Sequence, residues 1–124
     1  RRPEAVAAYQ KLIEIRREQS AKHPNNPTLR QKFGMSYSYL GDTFFELNDL
    51  PKAIEQYRKS LEILDPLGLQ DPLNEPLIQD KANIRSSYAY SVTSNLYNCR
   101  WHILRFAVDF LLHRIPQPFG FQWF

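Results

Sequence analysis

Apolar residues recur every three or four positions along most of the chain, which is the spacing that predicts amphipathic helices. Five helical segments follow from this pattern: 3–22, 28–47, 51–64, about 77–98 and 101–113. They are separated by HPNNP at 23–27, by Asn48-Asp49 and by a proline-containing loop at 65–76, because proline and asparagine favour turns. No stretch alternates long enough to predict a strand. We therefore predict an all-α fold.

The helices belong to an internal repeat. PEAVAAYQKLIEI at 3–15 aligns with PKAIEQYRKSLEI at 51–63 at an offset of 48, and SYSY at 36–39 aligns with SYAY at 87–90 at an offset of 51. A repeat of this length predicts helix pairs that bury their apolar faces against their neighbours. We expect stacked antiparallel helix hairpins that form a short solenoid of about five helices.

Gly41 lies inside the second segment, where glycine is about 1 kcal/mol less favourable than alanine. Gly41 and Ala53 place small residues on both helices of one predicted hairpin. Tyr37, Phe44 and Tyr57 are the large residues beside them. This combination predicts a close crossing of the two helices, where tight packing offsets the low helix propensity of glycine.

At these positions the chain resembles the tetratricopeptide repeat (TPR) family. The matching residues are Tyr37, Leu40, Gly41, Phe44, Ala53, Tyr57 and Ser60. Asn48 stands where the family has glycine, and Pro66 comes one place later than the family's proline. The resemblance covers residues 3–66 well and 74–90 loosely, and it fails beyond Ser91. The long helices look like the extended variant found in bacterial signalling proteins.

The resemblance implies a non-catalytic protein-interaction or assembly module. In this family the first helix of each pair lines a concave groove that receives a peptide or a partner helix. The groove positions carried over to this chain are Met35, Ser38, Asp42, Phe45 and Glu46. Phe45 is the expected anchor, and the two acidic residues favour a basic or amide-rich ligand. The alternative is that these residues are the solvent-facing surface of a spacer.

The net charge of +3 is unevenly distributed. Residues 1–33 carry eight basic and three acidic side chains, whereas residues 34–66 carry three basic and six acidic ones. The basic first third allows nucleic-acid binding as a further alternative, through Arg16, Arg17, Lys22, Arg30 and Lys32. A solvated helix face explains these charges more simply. The aromatic residues that nucleic-acid bases would need for stacking fall on the predicted core stripe.

The sequence contains no motif that predicts catalysis, a cofactor or a metal site. Its three histidines and one cysteine lack metal-ligand spacing, and it has no phosphate-binding glycine loop. Cys99 has no second cysteine with which to form a disulfide. The only triplet that approaches an N-glycosylation sequon, Asn26-Pro27-Thr28, is ruled out by its proline. Both observations fit a cytoplasmic location. Because the first residue is not Met, we expect a helical-repeat domain at 1–114 that is a piece of a larger protein.

The C-terminal residues are unusually apolar. Residues 101–112 are too few and too charged to span a bilayer, which takes about 20 apolar residues. The tail at 115–124 carries Phe119, Phe121, Trp123 and Phe124. It could fold back as a cap, contact a second copy or another partner, or touch a membrane surface. Self-association through this segment, as a structural scaffold, is the main alternative to a peptide-binding groove.

Overall fold

A computed structural model describes residues 2–114 as four helices. They are α1 (Arg2–Lys22), α2 (Pro27–Glu46), α3 (Leu50–Gln70) and α4 (Glu75–Arg114). No strand occurs within residues 2–114, and the prediction of an all-α fold is confirmed. The expectations for the tail at 115–124 lie outside the described residues.

Each turn supplies the N-cap of the helix that follows it. The side chains of Asn26, Asp49 and Asn74 accept hydrogen bonds from backbone N–H groups in the first turns of α2, α3 and α4, at 3.1–3.3 Å. Such bonds satisfy donors that have no partner inside the helix. Asn48, between α2 and α3, has a φ of 60°. Asparagine tolerates this left-handed conformation better than most residues.

The prediction of five helices is wrong, because the last two segments form one continuous helix of 40 residues. The residues between them, 99–100, include neither proline nor glycine, so nothing ends the helix there. The long loop expected at 65–76 is also wrong, since α3 continues through Pro66 to Gln70. Leu64 and Leu67 on either side of this proline are buried, and their packing supports the helix through it.

Consecutive helices run antiparallel. Arg2 at the start of α1 pairs with Glu46 at the end of α2, with 3.5 Å between Nε and Oε2. Asp65 near the end of α3 pairs with Arg85 in the first half of α4 at 2.8 Å. Each helix packs on the next along the chain, and α2 touches α4 only sparsely. All four helices contribute to one core cluster, formed by Ile13, Leu40, Phe44, Ala53, Tyr57, Leu64, Leu67, Leu77 and Ile84.

The backbones of α2 and α3 approach closely at two glycines. A Cβ atom on Gly41 would lie 2.8 Å from Cε1 of Tyr57, and one on Gly34 would lie 2.7 Å from Cδ2 of Leu64. The two glycines are seven residues apart and therefore share one face of α2. Ser60 Oγ donates a hydrogen bond to the Gly34 carbonyl at 2.8 Å. The close approach predicted at Gly41 is present, but it faces Tyr57 rather than Ala53, and the one at Gly34 was not predicted.

We expect Gly41→Leu to lower the free energy of unfolding by about 1–3 kcal/mol, because the added side chain overpacks the helix crossing. Gly41→Ala should also destabilise the fold, although alanine has the higher helix propensity. The new Cβ would meet a tyrosine ring that is itself buried and cannot move aside. Urea denaturation followed by circular dichroism measures both changes.

Gly68→Ala is the matched control. A Cβ at this position would lie 2.6 Å from Nζ of Lys81, the far end of a flexible side chain that can shift while it keeps its ion pair with Asp65. We expect this variant to match the wild type or to gain up to about 1 kcal/mol from helix propensity. Equal losses at Gly41 and Gly68 would contradict the proposed close packing.

Candidate functional site

A cleft runs between α2 and α4, with Tyr57 of α3 on its floor. It consists of two adjoining depressions of about 680 Å³ and 270 Å³, which share Asp42, Tyr57 and Ser87. The α2 wall is formed by Met35, Ser38, Tyr39, Asp42, Phe45 and Glu46. The α4 wall is formed by Asp80, Asn83, Ile84, Ser86, Ser87 and Tyr90.

The cleft exists because α2 and α4 both pack on α3 and hardly on each other. At one end, Nε2 of Gln31 lies 3.5 Å from Oδ2 of Asp80. At the other end, the rings of Phe45 and Tyr90 have centroids 5.7 Å apart. These two contacts join residues 49 and 45 positions apart in sequence. The walls of the cleft are therefore parallel helices related by roughly the internal repeat.

The five predicted groove residues all border this cleft. Asp42, Phe45 and Glu46 line the larger depression, and Met35, Ser38 and Asp42 line the smaller one. Asp42 and Glu46 are exposed, whereas Met35 and Phe45 are partly buried. This placement gives them a shared surface and leaves their role in binding a prediction.

The expectation that Ser38 is an exposed groove position is wrong. Its residue surface is only 3% exposed, and its hydroxyl donates a hydrogen bond to the Met35 carbonyl at 2.8 Å. Serine side chains commonly turn back to the carbonyls of the preceding helical turn in this way. Ser38 therefore lines the base of the smaller depression and has no free donor for a ligand.

Tyr57 and Asp42 connect the helix packing to the cleft. The Tyr57 hydroxyl donates a hydrogen bond to Oδ1 of Asp42 at 2.6 Å, from a ring that is buried under α2. Burial raises the pKa of the Tyr57 hydroxyl well above its usual range, and the hydrogen bond to the Asp42 carboxylate raises it further. A carboxylate has several acceptor positions, so Asp42, which is exposed, keeps the capacity to bind a ligand donor.

The cleft is acidic. Asp42, Glu46 and Asp80 line it, and none of the described residues that border it is Lys, Arg or His. Arg2 at the start of α1 pairs with Glu46 at the rim, and both side chains are largely exposed to water. An exposed pair of this kind contributes little to stability and can exchange partners. The arrangement suits a ligand that carries positive charge next to apolar atoms.

The α4 wall was not identified from the sequence. Asp80, Asn83, Ser86 and Ser87 follow no apolar stripe, and the groove positions were carried over to α2 alone. The alignment of SYSY with SYAY was the available signal, because it placed the segment ending at Tyr90 in register with α2. Extending that register to the neighbouring residues would have predicted both walls.

The basic residues at the start of the chain hold α1 to α2. Arg16 donates hydrogen bonds to the Lys32 carbonyl and to Ser36 Oγ, each at 2.9 Å. Arg17 donates to the hydroxyl of Tyr37 at 3.1 Å. Two of the five side chains considered for nucleic-acid binding therefore have a structural use, and nothing in their geometry favours a nucleic-acid interface.

Across residues 2–114, no three His, Cys, Asp or Glu side chains gather where they could hold a metal ion. Cys99 is a free thiol on the exposed surface of α4. In the same part of the chain, none of the helices carries an apolar stretch long enough to cross a membrane.

Comparison with family models, curated proteins and solved structures finds no match to this chain. The resemblance to the TPR family therefore remains a prediction that rests on the residues themselves.

We expect Tyr57→Phe to reduce the free energy of unfolding by about 1 kcal/mol at neutral pH, through loss of its hydrogen bond. The substitution should also weaken the dependence of the free energy of unfolding on pH above about pH 10. The pKa of Tyr57 is higher in the folded state than its unfolded value of about 10. Its contribution is therefore complete below about pH 10 and is lost as the pH rises towards the folded pKa.

Urea denaturation between about pH 8 and pH 11 measures this difference, with Tyr97→Phe as the control because that ring lies on the exposed surface of α4. The wild type and Tyr97→Phe should lose stability above about pH 10 more steeply than Tyr57→Phe. Parallel curves for all three proteins would show that Tyr57 does not couple folding to protonation.

Proposed function

We propose that this chain is a non-catalytic protein-interaction module built from TPR-like helix hairpins, and that it binds a peptide or a partner helix in the cleft between α2 and α4. The observation that carries the proposal is the cleft itself. Its two adjoining depressions together border all five residues that the resemblance to the TPR family predicted, and their walls are acidic and aromatic.

Several features of the fold support the TPR-like part of the proposal. Neighbouring helices are antiparallel, and α2 lies parallel to α4 in register with the internal repeat. Gly41 makes the close contact that the family pattern assigns to its glycine. Asn48 adopts the left-handed conformation that would explain a glycine at this position of the pattern.

The chemistry of the cleft indicates the class of ligand. Asp42, Glu46 and Asp80 attract lysine or arginine side chains, and the rings of Phe45 and Tyr90 can pack on their aliphatic stems or interact with their charges. Ser86 adds a hydroxyl that can bond to a peptide backbone. A segment with basic residues spaced around one apolar anchor meets these requirements.

We expect Phe45→Ala combined with Glu46→Lys to abolish ligand binding, because the double variant removes the anchor surface and reverses a rim charge. The ligand is obtained by selecting a random peptide library displayed on phage against the full chain. Enriched peptides should carry Lys or Arg beside an apolar residue, and titration calorimetry with a synthetic enriched peptide then compares the variants.

The control variant is Ile15→Ala combined with Glu14→Lys. It makes the same kinds of change at an adjacent pair of exposed residues on α1, away from the cleft. Circular dichroism checks that both double variants remain folded. Binding that survives in the Phe45 variant, or that is lost equally in the Ile15 variant, would refute the groove assignment. A selection that enriches no peptide would favour the spacer alternative.

A further inference from the structure

The C-terminal part of α4 extends beyond the packing of the other helices. We call residues 96–113 the α4 arm. The helix is 40 residues long, or about 60 Å, and its last buried residue is Ser91. Within the arm, nine large apolar side chains are 48–73% exposed. The other three helices therefore leave this surface uncovered.

Such a surface is unusual for a helix in water. Helices that are apolar nearly all round are normally buried, and most helical stability in proteins comes from tertiary packing. Exposed apolar patches of several hundred square ångströms commonly mark interaction surfaces. The arm therefore needs an occupant that covers it.

One line along the arm has the spacing of a helix-pairing seam. Leu96, Cys99, Ile103 and Phe106 follow one another at intervals of three, four and three residues, which is the pattern of core positions in a coiled coil. His102 and Asp109 flank this line on one side. On the opposite side of the helix, the rings of Tyr97 and Trp101 contact each other edge to face, with 6.1 Å between centroids.

We propose that this seam is a self-association surface on which the α4 arm of a second copy packs antiparallel. Placing Ile103 of each copy opposite Phe106 of the other brings His102 across from Asp109 of the second copy. Two-fold symmetry forms this pair twice. The imidazole can donate a hydrogen bond to the carboxylate whether or not it is charged. Charge complementarity at such flanking positions sets partner and orientation in paired helices.

The exposed area is sufficient for a dimer. The four aromatic rings of the arm expose roughly 500 Å² and its aliphatic side chains about as much again. Burying half of this area on each of two copies removes roughly 1,000 Å² in total, which reaches the lower size of a specific interface. The expected affinity is therefore micromolar rather than nanomolar. The seam begins beyond Tyr90, which is the residue of the cleft furthest along the chain. Self-association through the seam therefore does not depend on peptide binding in the cleft.

Light scattering of the full chain, from about 1 to 200 micromolar, tests the proposal. We expect the mass to rise from one copy to two across this range. Phe106→Glu should remain a single copy, because the interface would bury two carboxylates. Val108→Glu is the matched control, since it makes a half-exposed apolar residue acidic on the side of the same arm opposite the seam, and it should dimerise as the wild type does.

The antiparallel register makes a second, independent prediction. His102→Glu places two acidic pairs across the interface and should weaken the dimer roughly five-fold, whereas His102→Glu combined with Asp109→Lys should restore it. In this register the two Cys99 residues lie about 16 Å apart along the helix axis, too far for a disulfide. Efficient disulfide cross-linking through Cys99 would overturn the antiparallel register.

A mass of one copy at every concentration would overturn self-association. Replacing Phe119, Phe121, Trp123 and Phe124 with serine in the full chain then identifies the occupant. Dimerisation of this variant alone would show that residues 115–124 cover the arm in the wild type. Equal dissociation by Phe106→Glu and Val108→Glu would overturn the seam.

Discussion

The contact between the Tyr57 ring and the backbone of α2 at Gly41 determines the geometry of the molecule. It sets the separation of α2 and α3, because no side chain stands between the ring and the helix. The position of α4 follows from the position of α3, on which it packs. The cleft is therefore the space between α2 and α4, both of which pack on α3. Its floor is the same tyrosine, whose hydroxyl reaches out to Asp42.

The two faces of α2 are held by different chemistry, although the helices that cover them are related by the internal repeat. Leu64 in α3 packs against Gly34, and the residue 48 positions earlier, Arg16 in α1, instead donates hydrogen bonds to Ser36 and to a backbone carbonyl. An apolar contact excludes water, whereas the arginine contact leaves the guanidinium partly accessible. At these equivalent positions the α1–α2 contact is therefore polar, whereas the α2–α3 contact is apolar.

The elements that could be predicted from the sequence are those with local signals. The first two helices, the start of the third and the close approach at Gly41 follow from apolar spacing, turn residues between the segments, and a glycine inside a helix. The wrong predictions concern tertiary effects. Pro66 predicts the end of a helix, but the packing of buried leucines on both sides of it stabilises α3 as one helix. Two segments of α4 read as separate helices because their apolar patterns differ, although the backbone between them has no reason to break. The α4 wall was not predicted, because its polar residues can be recognised as part of a site only when α4 is known to face α2.

The ion pair between Arg2 and Glu46 has a consequence for any basic ligand of the cleft. Arg2 belongs to the same molecule as the carboxylate that it contacts, so its local concentration beside Glu46 does not fall when the protein is diluted. A lysine or arginine from outside must therefore displace a tethered cation before it can use this carboxylate. Asp42 and Asp80 have no such competitor among the described residues that line the cleft. The cleft thus has an inner acidic region that is immediately available and an outer one that an arginine of the chain itself partly occupies.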